Sequence, residues 1–79
     1  MNEFAAMPVI ETGEYEHYKG KQYMVLGVGR HTEDDEYFVV YTPLYDHIGQ
    51  PDIWIRPYAM FMEAVEINGE RIPRFKKAS

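Results

Sequence analysis

The chain has 79 residues, a formal net charge of −5, 46% hydrophobic residues and no cysteine. That length holds one domain, and without cysteine neither a disulfide framework nor a thiolate metal site is available. The acidity argues against nonspecific binding to nucleic acid or to an anionic membrane, both of which require a basic face.

A domain this small buries only about 60% of its unfolded surface, for a stability of roughly 4–12 kcal/mol. Aromatic packing must supply the core, and the chain carries 7 Tyr, 4 Phe and 1 Trp, each able to bury a large area. A cysteine-free small domain fits a reducing compartment. The first ten residues contain Glu3, no basic cluster and no long apolar run, unlike a secretory signal. No stretch approaches the roughly 18 consecutive apolar residues that span a bilayer. The expectation is a cytoplasmic protein without a membrane partner. Charge is uneven: residues 1–50 carry nine acids against three bases, residues 51–79 four against five. The plain reading of Arg71, Arg74, Lys76 and Lys77 is a solvated last strand and tail.

Residues 1–12 show neither periodicity nor capping and are expected to form an N-terminal tail or accessory strand. Phe4, Met7, Val9 and Ile10 are apolar enough to cover part of the domain or a partner's surface. Residues 13–79 are expected to form a single small β-barrel domain. The sequence Lys19, Gly20, Lys21 is a turn signal ahead of a strand over residues 23–29, rich in β-branched and aromatic side chains. Gly27 and Gly29 within that strand predict a bend or bulge, which a small barrel needs to close. A polar hairpin loop follows at Thr32 to Asp35, then a second strand over residues 36–42, ended by Pro43.

Residues 45–51 are loop-like, punctuated by Gly49 and Pro51. A short strand over 53–55 is followed by one helical turn over 58–62, with Pro57 at a favourable first position. There Met60, Phe61 and Met62 read as a plug closing one end of the barrel. Residues 64–67 alternate apolar and polar as a half-buried strand does, Asn68-Gly69 is a strong hairpin signal, and Pro73 implies an edge position for the strand over 70–75. The fold class expected is all-β: a small five-stranded SH3-like barrel with one helical turn before the last hairpin.

Several of these blocks, in this order and spacing, have a family likeness. Residues 15–20, the run from Tyr23 to Glu33, Val39 to Tyr41 with Leu44 and Tyr45, and Trp54 to Phe61 resemble the bacterial family catalogued as domain of unknown function 1653. The resemblance extends from about Gly13 to Phe75. It implies a compact, stand-alone β domain in a bacterial cytoplasm and assigns no activity. At Gly29 the family more often carries a small residue such as Ala.

His17, His31 and His47 are widely separated, whereas compact metal motifs place two ligands within about five residues; no metal site is expected. The acidic run Glu33 to Glu36 lacks the alternating ligands and central glycine of a calcium loop and reads as a solvated hairpin tip. Gly27-x-Gly29 lacks a third glycine and sits inside a strand, so it is not a dinucleotide fingerprint, and no cofactor is expected. Ser79 and Thr12, Thr32 and Thr42 form no nucleophile–base–orienter set, so no catalytic residues are assigned.

The candidate ligand surface is His17, Tyr18, Lys19, Arg30, His31, Tyr41, Tyr45, Trp54 and Arg56. Arg30 and His31 are expected beside the first hairpin turn, away from Tyr41. Trp54 and Arg56, two residues apart on a strand, share a face. Aromatic and guanidinium groups together grip a peptide or a planar base by stacking and forked hydrogen bonds, and SH3-like peptide grooves are lined this way. The plainer reading gives Trp54, Phe61 and Tyr23 to the core and pairs Arg56 with Glu63 or Asp52. The expected function is a non-catalytic binding or regulatory module for a protein or peptide. The alternatives are RNA or nucleotide binding through Trp54, Tyr41 and Arg56, a small enzyme using His17 and His31, and a structural part docked through the N-terminal tail.

Overall fold

The computed structural model describes residues 8–78. Its longest ladder joins β2 (Gln22–Arg30) to β3 (Tyr37–Pro43), both rich in the β-branched and aromatic residues that favour strands. Around it lie β1 (Gly13–His17), β4 (Trp54–Pro57), the single turn α1 (Tyr58–Phe61), β5 (Ala64–Ile67), β6 (Glu70–Pro73) and β7 (Phe75–Lys77). All pairings are antiparallel; five strands form one sheet in the order β4-β3-β2-β1-β7, and β5 with β6 forms a separate hairpin.

Register decides which side chains share a face, because partners across a ladder point the same way. Tyr15 lies opposite both Tyr23 and Lys77, His17 opposite Phe75, Val25 opposite Tyr41, Tyr41 opposite Trp54, and Val39 opposite Arg56. One face therefore carries Tyr15, Tyr23, Val25, Val39, Tyr41 and Phe75, and these with Phe61 are the buried core. Ile10, Tyr45, Trp54 and Tyr58 pack against its margin.

The closed five-stranded barrel expected from the sequence does not form. The sheet is open, with β4 and β7 as its edges. It is nevertheless strongly curled: the Arg56 guanidinium on β4 sits 5.5 Å from the centre of the Phe75 ring on β7, where a flat sheet with four strand spacings would hold the two strands roughly 19 Å apart. Side chains fill the seam. Phe61 stacks on Phe75 at 4.0 Å and meets Tyr41 and Tyr15 edge-on, both at 5.6 Å. Pro57 at the end of β4 has no N–H to offer a further strand.

Four local expectations are refined. The bulge falls between Val25 and Gly27, where Gly27 has φ 154, but Gly29 pairs regularly with Phe38. There, a Cβ would lie 3.3 Å from Val40 Cγ2, so close packing is what a side chain at Gly29 would meet. Phe61 is the plug, at 1% exposure, whereas Met60 and Met62 are exposed. Pro57 is the N-cap, with extended ψ 137, and Tyr58 opens the turn. The strand expected over 70–75 divides at Arg74, whose N–H still bonds Glu63 O at 3.0 Å in the hairpin register while its carbonyl accepts the Tyr18 N–H at 2.9 Å. That break sends Phe75 into the large sheet beside β1. Asn68 and Gly69 both have positive φ, 53 and 84, as a two-residue hairpin turn requires.

In the leading segment, residues 8–12 are not a strand. Ile10 packs on the core and Glu11 O accepts the Tyr15 hydroxyl at 2.8 Å, while Val9 is exposed. Phe4 and Met7 lie outside the described residues. No helix among the described residues is long and apolar enough to cross a membrane.

Candidate ligand-binding surface

The curled sheet brings most of the expected surface residues together at one end of the core. Trp54 is half-buried, with ring centres of Tyr23, Tyr41 and Tyr45 at 6.0, 6.3 and 6.4 Å, and its indole N–H donates to Pro51 O at 2.8 Å. Tyr41 is a core residue at 3% exposure, which removes its ring from any ligand surface. Its hydroxyl accepts a hydrogen bond from Arg56 Nε at 3.3 Å. Tyr45 borders the same cluster through a hydroxyl–hydroxyl bond of 3.0 Å to Tyr23, and Lys21 Nζ lies 4.4 Å from its ring centre. Burial, then the bond to Tyr45, push the Tyr23 phenol up from its ordinary value.

His17 meets the edge of Phe75 at 4.9 Å and the Tyr18 ring at 4.6 Å, and its Nδ1 accepts the Lys19 backbone N–H at 3.2 Å. That bond leaves Nε2 to carry the proton of the neutral ring. Burial is the largest cause of a lowered His17 value, followed by the positive charges of Arg56, Arg74 and Lys19. A cavity of about 280 Å³, lined by Glu16, His17, Tyr18, Ile72, Pro73 and Lys76, borders this group.

Arg56 does not pair with Glu63 or Asp52. Arg74 Nη2 takes Glu63 at 2.9 Å, and His47 Nε2 takes Asp52 at 2.7 Å. The latter contact, behind the backbone bond to Tyr45 O, helps hold the His47 value above its ordinary one. Nor is the C-terminal basic run wholly solvated: Arg74 is half-buried in that ion pair, with Nε buried and unpartnered, and Phe75 belongs to the core.

Arg30 and His31 stand apart, as their place beside the hairpin predicts. Arg30 holds Asp35 through Nε at 2.8 Å and Nη2 at 2.6 Å, and His31 Nδ1 lies 3.1 Å from Asp34. His17 is bonded through its N–H to Lys21 O at the start of β2 and His31 follows its end, roughly 33 Å away along ten residues at strand rise. The two histidines cannot act on one reacting atom, and the enzyme built on that pair is set aside. Among the described residues no three His, Asp or Glu side chains are gathered as a metal would require.

Phe75, Tyr23, Lys21 and Arg74 are the members of this cluster that sequence reasoning did not place there. Tyr23 was legible as core; Phe75 and Arg74 face the site because β7 pairs with β1 and the sheet curls, and Lys21 because the start of β2 lies beside the chain leaving β3.

A family model described as a protein of unknown function (DUF1653) matches residues 13–77. The chain belongs to the DUF1653 family. A crystal structure of a DUF1653 protein from Bordetella bronchiseptica superposes with a TM-score of 0.80 at 37% identity, covering 89% of this chain and 88% of the other. No curated protein matches. Every residue of the candidate surface lies inside the DUF1653 match, whereas residues 1–12 lie outside it.

Proposed function

We propose that this DUF1653 chain is a non-catalytic binding or regulatory module, acting in the cytoplasm, that recognises a protein or peptide. Its recognition surface is His17, Tyr18, Lys19, Tyr45, Trp54 and Arg56. On this reading the curled sheet is an SH3-like barrel left open at one seam, with aromatic side chains lining a peptide groove beside it.

The observation that carries the reading is Arg56. Its guanidinium is held in place by the Tyr41 hydroxyl and the Phe75 ring, next to a half-buried Trp54, and makes no ion pair among the described residues. A cation positioned by ring and hydroxyl is set for a partner's group at little further ordering cost. Nucleotide or RNA binding draws on the same groups but loses Tyr41 to the core, and a net charge of −5 repels a polyanion.

The test is an amide NMR titration of labelled protein against pools of short peptides, nucleotides, short RNAs and zinc. Localised shifts at His17, Tyr45, Trp54 and Arg56 with peptides are expected. Shifts at these residues with RNA alone, with affinity falling steeply as salt rises, would replace this reading with the nucleic-acid one.

A further inference from the structure

Arg56 differs from the two other arginines whose contacts are described above in pairing with no acid among the described residues. Arg30 and Arg74 each hold a carboxylate. Arg56 bonds through Nε alone, and its terminal nitrogens have no partner among the described residues; neither is a buried orphan, so both reach solvent. A guanidinium fork of this kind matches a carboxylate in two parallel hydrogen bonds. The indole of Trp54 stands two residues away on the same face, roughly 7 Å along the strand, about the separation between the carboxylate and the side-chain body of a single amino acid. Arg56 lies close enough to His17 for its charge to lower the His17 value, as do those of Arg74 and Lys19; Arg74 is itself paired with Glu63, and Glu16 alternates to the opposite face of β1 from His17. The immediate field is therefore positive inside an acidic chain, which suits one negative charge better than a row of them.

Resting on the peptide-binding reading above, we propose that Arg56 seats the C-terminal carboxylate of a partner chain whose last residue is apolar and packs its side chain on Trp54. An acidic side chain inside a partner offers the same carboxylate without the apolar body beside it. A nucleotide brings a planar base, but also a charge that the rest of the chain repels.

Four small probes separate these cases: N-acetylphenylalanine, N-acetylphenylalaninamide, N-acetylglutamic acid α-amide and AMP. Trp54 is the only tryptophan, so its fluorescence reports the site directly, with amide NMR as the second readout. N-acetylphenylalanine is expected to bind at Trp54 and Arg56 at least about tenfold more tightly than its amide, as loss of a charged hydrogen-bond pair implies. Arg56→Gln should erase that preference while leaving the melting curve cooperative. Bound carboxylate should also raise the His17 titration midpoint by offsetting the field of Arg56, Arg74 and Lys19, and the Gln variant should lose that response. Equal binding of acid and amide would overturn the carboxylate assignment and leave the peptide surface standing. Equal binding of N-acetylphenylalanine and the glutamate amide or AMP would overturn the chain-terminus assignment in favour of a general anion site. If no probe moves Trp54 or Arg56 although peptides from the pools do, this inference fails alone; if peptides do not either, both readings fail.

Discussion

The β2–β3 hairpin loop and the seam between β4 and β7 treat their charged residues in opposite ways. At the hairpin end, Arg30 and His31 meet Asp35 and Asp34 within a few residues of chain, and the whole group is exposed. At the seam, Arg56 is set against Tyr41 on the neighbouring strand and over Phe75 on a strand that only the curl of the sheet brings near, and it pairs with no acid among the described residues. Local neutralisation in water stabilises little. Orientation of a cation on an aromatic floor leaves it available to a partner.

The largest effect that could break this contrast lies in the floor. Phe61→Ala should cost about 3–5 kcal/mol in urea denaturation, since Phe61 is fully buried and stacked on Phe75. Phe38, half-buried near the hairpin end, should cost clearly less on the same change. Equal costs would mean that the core is not concentrated at the seam.

Tyr41→Phe should cost about 1 kcal/mol by removing the acceptor of Arg56 Nε, and should broaden or shift the Arg56 Nε–H resonance. An unmoved resonance would show that the ring of Phe75 alone orients the guanidinium. Asp35→Ala should cost less than about 1 kcal/mol, because the Arg30–Asp35 pair is exposed, and any loss should shrink further in salt. A larger cost would place the hairpin among the main stabilising elements.

The finest test uses the histidines. His17 has a folded value below the ordinary 6.5 and His47 one above it. As pH falls through about 6.5, the unfolded chain takes up a proton at His17 before the folded one does. The contribution of His17 is therefore complete above that pH and declines until the folded midpoint is passed. His47 has the opposite sign: its contribution is complete below about 6.5 and is lost as pH rises through its folded midpoint. Proton NMR of the imidazole resonances checks both, and identical midpoints would erase the distinction between the two environments.

Much of the fold was legible because local signals act over a few residues. Asn68-Gly69 marks its turn, Gly27 its bulge, and Pro57 the passage from strand to helical turn. Barrel closure was misjudged because it depends on whether the edges β4 and β7 pair, and no local signal reports on strands that far apart in the chain. Of the candidate surface, the shared face of Trp54 and Arg56 followed from strand periodicity alone. Tyr41 was misplaced for a related reason: alternation says that Tyr41 and Val39 share a side, but not that this side faces Phe61.

The sequence by itself determined a single β-rich domain stabilised by aromatic packing, its turns, and the place of Arg30 and His31 beside the first hairpin, all consequences of composition and short-range geometry. Tertiary structure alone decided that Phe75 would join β1 and that Arg74 would claim Glu63. Those two choices left Arg56 over a ring and paired with no acid among the described residues. An ion pair across the chain depends on which strands become neighbours, and that is settled by how the whole aromatic face is buried.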